Sequence, residues 1–581
     1  MVILLQVAAT QQVTAQPLFV SITAEGNVEG TTTIQRDGNI YTFTSNIEAA
    51  IVIEASNIVL DGSGFILQGG ITLNENNVEI KNLEINAEGN AIEIYGSRCK
   101  ILNNEIQAER KGIRIRDSDS NVISDNKINA KIEVGIAFET SSSNAVTENT
   151  IGSGIMMGGV DLYDSDSNTF SSNTIHFVSL YGSSYNIFDQ NNLPQGIAIR
   201  SSSNYNQIIG NNIIDFNELN ETNFMSSGSI TLFSCEGNVI SSNTIVNSGG
   251  IFLYTSSNNV LRNNAVSGTG IGFEVSGSPQ PKLSSFINDI DDSNTINGKK
   301  IYYLINKSDL SINPSTYPNI GYVSLVNCTR MIVENTHFNT QGILLAYTTD
   351  SQITNNGISN NYGDGVILNY ASNNKITKNN INANSGAGIS LSHSNQNTFS
   401  GNHITRNQIG IYLIHSSDNN TIAENNIADQ DTGISLHTSS SNLIYHNNFV
   451  NNTEQAYDVG WMSIGQPFPG VPLPSENIWD NDYPIGGNYW RNYTNLYPEA
   501  EELDSSSIWD VPYVIDENNQ DRYPLINPID IPPVEIPEAP DGETSTTPSE
   551  DSFPTTLVLT LTATVTIVGV GLLLYFKKRK H

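Results

Sequence analysis

Eight residues spaced one to a repeat form the series best suited to binding chemistry: Tyr95, Arg116, Glu139, Tyr163, Tyr181, Arg200, Phe233 and Tyr254. Each follows the second apolar residue of a Gly-Ile-x-Leu-like phrase, which turns it to the opposite side of an extended strand. Aromatic and guanidinium groups repeated in this way offer flat faces for sugar rings and hydrogen bonds for hydroxyls. The same pattern also arises where aromatic residues merely pair along an exposed sheet.

Two other sets could carry chemistry. Arg114, Arg116 and Asp117 lie on repeats next to those of Glu93, Glu139 and Asp161. A polysaccharide lyase or epimerase needs a base beside carboxylates that hold calcium or a uronate, and these residue types suit that; a charge-paired strand face uses them equally well. A hydrolase needs acids clustered on one outer face, and Asp291-Asp292 falls outside the regular repeats. His393 and His415 occupy the same place on successive repeats, with His437 one position off in the next. Imidazoles ~4.8 Å apart could share a copper or zinc ion, but no Met cluster or Cys accompanies them, and solvated turn histidines look the same. No cofactor is therefore assigned; copper and calcium lack a clear ligand cluster.

These residues are placed by one repeating phrase, N-x-I-x-x-N-x-I. Its second Asn falls at 82, 104, 126, 149, 173, 191, 211, 243 and 264, then at 335, 356, 379, 402, 425 and 447. A Gly-Ile-x-Leu phrase and a Ser/Asn/Asp turn complete each unit, so a unit is two or three short alternating strands with sharp corners. A leucine-rich repeat would carry L-x-x-L-x-L, and a left-handed hexapeptide helix a strict six-residue beat. Spacing that drifts, with strands that stay in step, predicts an all-β, right-handed parallel β-helix. Pairs such as Ile113/Ile115, Val160/Leu162 and Ile389/Leu391 should point inward, each buried side chain contributing roughly 1.5–3 kcal/mol. The Asn column, including Asn126, Asn149, Asn173, Asn379, Asn402, Asn425 and Asn447, reads as a structural ladder of amides bonded to one another and to turn carbonyls.

The net charge is −33 with only 15% charged residues, so acidity reflects scarce Lys and Arg. Such a surface repels phosphate backbones, and nucleic acid is not expected as a partner. Cys99, Cys235 and Cys328 fall two or more repeats apart, at least ~9.6 Å, beyond the ~7 Å a disulfide spans, so they are expected as free thiols. Leu557 to Phe576 is twenty residues without a charge, long enough as a helix for a bilayer, and a Lys577-Lys578-Arg579-Lys580 cluster follows. Met1 to Ala9 is apolar and Val13-Thr14-Ala15 suits a cleavage site, but no basic residue precedes them, so residues 1–15 read as an atypical or truncated signal segment. Together with sequons at Asn220, Asn306, Asn327, Asn419, Asn451 and Asn492, this predicts a single-pass protein with the body outside and the C-terminus cytoplasmic.

The rhythm fails between Ser276 and Pro318, where Asn297-Gly298 is a turn signal; an arm packed against the coil's side is expected. The run FINDIDDSNTINGKKIYYLIN, followed by GYVSLVNCTRMIVENTHF, resembles the NosD-like family of β-helix proteins, named for periplasmic copper-binding members. The segments TTTIQRDGNIYTFTSNI and NIWDNDYPIGGNYWRNY are similar to those of its cell-surface members, so the likeness spans residues 20 to 530. The resemblance implies the β-helix fold, and copper only as the family's name. Many relatives carry a Gly/Asp-rich stretch before PYVID that suits calcium, where this chain has Asp504 to Asp510 with three Ser between.

The expected organisation is a signal segment at 1–15, an N-terminal lead-in and cap at 16–75, coil at 76–275, the arm at 276–318 and coil at 319–452. An aromatic cap follows at 453–527 with all four Trp, then a Pro/Thr/acidic stalk at 528–554, the membrane helix at 555–576 and a basic tail at 577–581. The functional expectation is a membrane-anchored surface protein that binds carbohydrate or acts as an adhesin without catalysis. A β-helix polysaccharide lyase, epimerase or hydrolase is the alternative, and a copper-binding protein the second.

Overall fold

Alternating apolar residues wind the chain into stacked rungs. In the computed structural model, residues 19–154, 158–214, 229–268, 272–277, 281–459 and 475–536 are described. The expected signal segment, membrane helix, basic tail and most of the stalk lie outside them, as do Trp461 and Asn220. Among the described residues no helix is long and apolar enough to cross a membrane.

The first coil has three faces of parallel strands. On one face Ile113, Ile136, Val160, Val178 and Ile197 stand in register on successive rungs, all fully buried. The corner after the second face carries the Asn ladder. Asn149 donates both its main-chain N–H and its amide to Oδ1 of Asn173, at 2.9 and 3.0 Å, and its amide also reaches the carbonyls of Ile123 and Thr147. The residue before each ladder Asn takes a left-handed conformation, as at Asp125 (φ 58°) and Glu148 (φ 57°). Asn82 and Asn335 fill that left-handed position rather than the ladder, where Leu83 and Thr336 stand instead. A second ladder, Asn121–Asn144–Asn168–Asn186–Asn206, runs up the preceding corner.

The segment expected as an external arm is a crossover inside the sheet. Thr295–Ile296 and Lys299–Ile305 form the hairpin that the Asn-Gly turn signalled, antiparallel to each other, and every later strand of that sheet runs parallel to Lys299–Ile305. The hairpin reverses strand direction, and the core changes sides of the sheet. Ile301, Tyr303 and Tyr322 pack into the first core, while Tyr302, Val323 and Leu325 pack into a second. Ile320–Val326 is accordingly buried along its whole length. The last strand of the first coil, Gly272–Ser276, would expose an unpaired edge. Gln341 covers it, its Oε1 accepting from Phe273 N at 3.0 Å and its amide donating to Phe273 O.

The second coil ends under aromatic rings. Trp490 lies flat between Phe449 at 4.5 Å and Tyr513 at 4.1 Å, and Trp479 is fully buried beside it. The chain then folds back along the coil's outside. Ile529 exchanges two hydrogen bonds with the Asn448 amide, His403 Nε2 bonds the carbonyl of Pro532, and Ile536 reaches Gly357. The start of the expected stalk is thus a strap across several rungs.

Candidate functional site

The expected series is one column. Arg116, Glu139, Tyr163, Tyr181 and Arg200 are strand partners on successive rungs, and Phe233 pairs with Tyr254. Strand spacing of ~4.8 Å brings the rings into contact with one another. Tyr163 stacks on Tyr181 with centroids 5.0 Å apart and planes 5° off parallel; Phe233 stacks on Tyr254 at 4.9 Å. Arg200 joins the two pairs, its guanidinium 5.8 Å from the Tyr181 centroid and 5.4 Å from that of Phe233, with Nη1 donating to the Tyr181 hydroxyl at 3.0 Å. Most ring faces are therefore turned to one another, and the column presents ring edges, hydroxyls and the open face of its first ring. Tyr163 and Tyr95 are its most exposed rings, and Tyr254 ends the column beside Glu274.

The corner after this column holds two tyrosines that sequence reasoning missed. Tyr185 and Tyr205 stack at 5.3 Å, exposed by 57% and 47%, more than any ring of the column. They occupy the left-handed position before the second ladder, which is Ser120, Ser143 and Ser167 on earlier rungs and Gly237 on a later one. A bulky ring replacing Ser on two successive rungs was the available signal.

The acid–base set is largely paired. Arg114 holds Glu139 through Nε at 3.0 Å and Nη2 at 2.7 Å and lies 3.7 Å from Glu93; its hydrogen bond keeps the Glu139 carboxyl below the usual range. Arg116 reaches Asp117 at 3.6 Å, and Lys111 reaches Glu133 at 2.7 Å. Asp161 differs. It stands between Ala137 and Ser179 on the same face, and burial pushes its pKa up to about 6 against the pull of Lys111 and Arg200.

The histidines form another stack. Tyr347, Tyr370, His393 and His415 lie ring on ring at 4.9, 4.5 and 5.3 Å, each in a left-handed turn position. Ser392 Oγ lies 3.1 and 3.2 Å from the Nδ1 atoms of His393 and His415. His437 sits apart, edge-on to Tyr412 and bonded to Ser435. Burial, then the charge of His415, lowers the pKa of His393 and His437. Copper needs convergent nitrogen or sulfur donors. Among the described residues no three His, Cys, Asp or Glu converge on one point, and the thiols of Cys99, Cys235 and Cys328 are buried against backbone carbonyls. This donor set does not fit copper.

Comparison with solved structures finds matches at low identity. DFA-IIIase from Arthrobacter chlorophenolicus A6 is 14% identical over 45% of this chain and 70% of its own, with a TM-score of 0.26. The periplasmic alginate epimerase AlgG is 10% identical over 76% and 83%, at 0.17. The mannuronan C-5 epimerase AlgE4 A-module of Azotobacter vinelandii is 12% identical over 71% and 89%, at 0.20. No curated protein matches the chain. The family model described as right handed beta helix region matches residues 153–317, and that described as periplasmic copper-binding protein (NosD) matches residues 24–218 and 288–495. With the latter covering well over half of its length, the chain belongs to the NosD family of β-helix repeat proteins.

Proposed function

We propose that this protein binds a glycan chain on the outer surface of its first coil, without catalysis, while held at a membrane by residues 555–576 with the coil outside. The observation that carries the reading is the unbroken register of Tyr163, Tyr181, Arg200, Phe233 and Tyr254, partly exposed and supported ring on ring. Such a column is rigid before it binds, so little side-chain entropy remains to be lost on association. Its edges and hydroxyls recur at ~4.8 Å, a spacing that suits sugar units running along the coil axis. Tyr185 and Tyr205 extend the same corner and offer additional ring surface. The test is a glycan array probed with the full-length chain in detergent, repeated with Tyr181→Ala. Signal on a glycan class that the variant loses supports the reading; signal that the variant keeps moves the site elsewhere.

Asp161 favours a second reading, a polysaccharide lyase or epimerase. A carboxyl poised at about 6, two residues from Tyr163 on one strand, suits proton transfer near neutral pH. Lys111 is held by Glu133 and Arg114 by Glu139, which argues for the binding reading, since a uronate at Asp161 would be left to Arg200. Release of unsaturated uronates from alginate or polygalacturonate, lost in Asp161→Asn, is the result that would install this reading instead.

A further inference from the structure

The third face of the first coil carries a groove that the aromatic column does not use. The hollow has a volume of about 620 Å³ and continues into a second of about 390 Å³; both are lined by Gln68, Asn86, Ala87 and Glu88. Corner length creates it. Between Ile66–Gln68 and Ile71–Leu73 the chain turns with Gly69-Gly70 alone, whereas the next rung turns through Glu88-Gly89-Asn90-Ala91. A short corner without side chains beneath a longer one leaves the face undercut.

The groove wall is a column of carboxamides. Asn86 is the strand partner of both Gln68 and Gln107, and Gln107 that of Asn129, so four amides point outward on four successive rungs. Asn129 Nδ2 donates to Gln107 Oε1 at 3.1 Å, and Asn86 Nδ2 to Glu84 Oε1 at 3.3 Å, which holds these side chains in line. Their remaining donors and acceptors face solvent, and Gln68 is exposed, its amide without a partner among the described residues. Ala87, Ala108 and Ala130 follow in register, keeping the corner low beside the wall. The rim is acidic, with Glu88, Glu93 and Glu109; Glu109 is matched by Lys131 at 3.0 Å and Glu93 receives the Asn90 amide at 2.6 Å.

We propose that this groove is a second binding site, for a neutral linear polysaccharide lying along the coil axis. An amide both donates and accepts, as a sugar hydroxyl does, and a polymer whose hydroxyls recur with each unit matches amides recurring at ~4.8 Å. A polyanionic glycan meets the acidic rim and the net charge of −33. A cationic peptide would satisfy the rim but leave the evenly spaced amides unmatched. The site spans four rungs, so it takes four or more sugar units. It does not depend on the tyrosine column.

Calorimetric titration of the full-length chain in detergent with cellohexaose, mannohexaose and xylohexaose tests this, with an alginate hexamer and hexalysine as contrasts. At least one neutral hexamer should bind, its disaccharide at least about tenfold more weakly. The pair Asn86→Ala/Gln107→Ala should weaken it by about tenfold with the thermal midpoint unchanged. Gln68→Ala, which removes an exposed group, should weaken it too, and Tyr181→Ala should leave it as it is. Hexamer binding untouched by the amide variants overturns the proposal; if Tyr181→Ala abolishes it instead, the tyrosine column alone stands. Binding of only the alginate hexamer or hexalysine, or of none of the probes, also overturns it.

Discussion

Asn488 donates its main-chain N–H to Oδ2 of Asp521 at 2.7 Å, and there the amide ladder that rises through Asn402, Asn425 and Asn447 ends on a carboxylate. Trp490 Nε1 donates to the same oxygen at 2.8 Å and Tyr523 N to the other. Asp521 is fully buried, and desolvation outweighs these donors, pushing its pKa up to about 7. A carboxyl whose pKa is raised on folding contributes stability that is complete below its unfolded value, near 4, and is lost as pH rises through about 7. Relative to the non-ionising Asp521→Asn variant, the parent should be most stable at pH 4 and lose that advantage by pH 8. Thermal unfolding of both chains across this range checks it; a constant difference would show that Asp521 keeps one charge state throughout.

Inside the ladder, one amide serves three neighbours. Asn402 accepts from Asn379 N and Nδ2 and donates to Ile376 O and Asn425 Oδ1. Asn402→Leu should cost about 1–3 kcal/mol through the groups left unpaired. Asn380→Leu, on an exposed strand position one residue past the ladder, should cost less than about 0.5 kcal/mol. Denaturant unfolding of the two variants decides; equal costs would mean that the ladder does not carry the corner.

The thiols give a chemical probe of the corner that carries the second ladder. Burial raises the pKa of Cys235 to about 11 and moves Cys99 and Cys328 in the same direction. Thiolate is the reactive form, so none should react with an aromatic disulfide reagent at pH 8 in the native chain, and all three should react in denaturant. Fast labelling of the native chain would contradict the packing at those rungs.

The strap bears on the proposed anchor. Residues 529–532 are held by Asn448 and His403, so protease added outside intact cells should cut beyond residue 536 and release the coil with its strap in place. Asn448→Ala should open cleavage sites between 528 and 536. Protection of the coil with digestion of the basic tail would reverse the orientation.

The rungs were legible because an inward Ile pair and a corner Asn recur together, and only stacking in register satisfies both. The second ladder was also present, at Asn121, Asn144 and Asn168, but a Ser-x-x-Asn corner reads first as a turn. The exchange of cores was not recognised. Ile301 to Ile305 and Ile320–Val326 are largely apolar without clean alternation, which is the mark of a strand buried on both faces, yet Gly321 to Cys328 reads equally as an ordinary rung. Register could be read for Tyr163 and Tyr181, but ring orientation could not. Whether neighbours on a ladder stack or splay depends on their rotamers, and sequence position is silent on those.

Binding along the aromatic column is tested most directly by titrating the full-length chain with a glycan it retains on the array, comparing Tyr181→Ala with Tyr412→Ala in the second coil. Tyr181 supports Tyr163 on one side and Arg200 on the other, so its truncation should weaken binding about tenfold, roughly 1.4 kcal/mol, with unfolding little changed. Tyr412→Ala should leave affinity within twofold of the parent. Equal losses from both substitutions, or no loss from Tyr181→Ala, would contradict binding at the column.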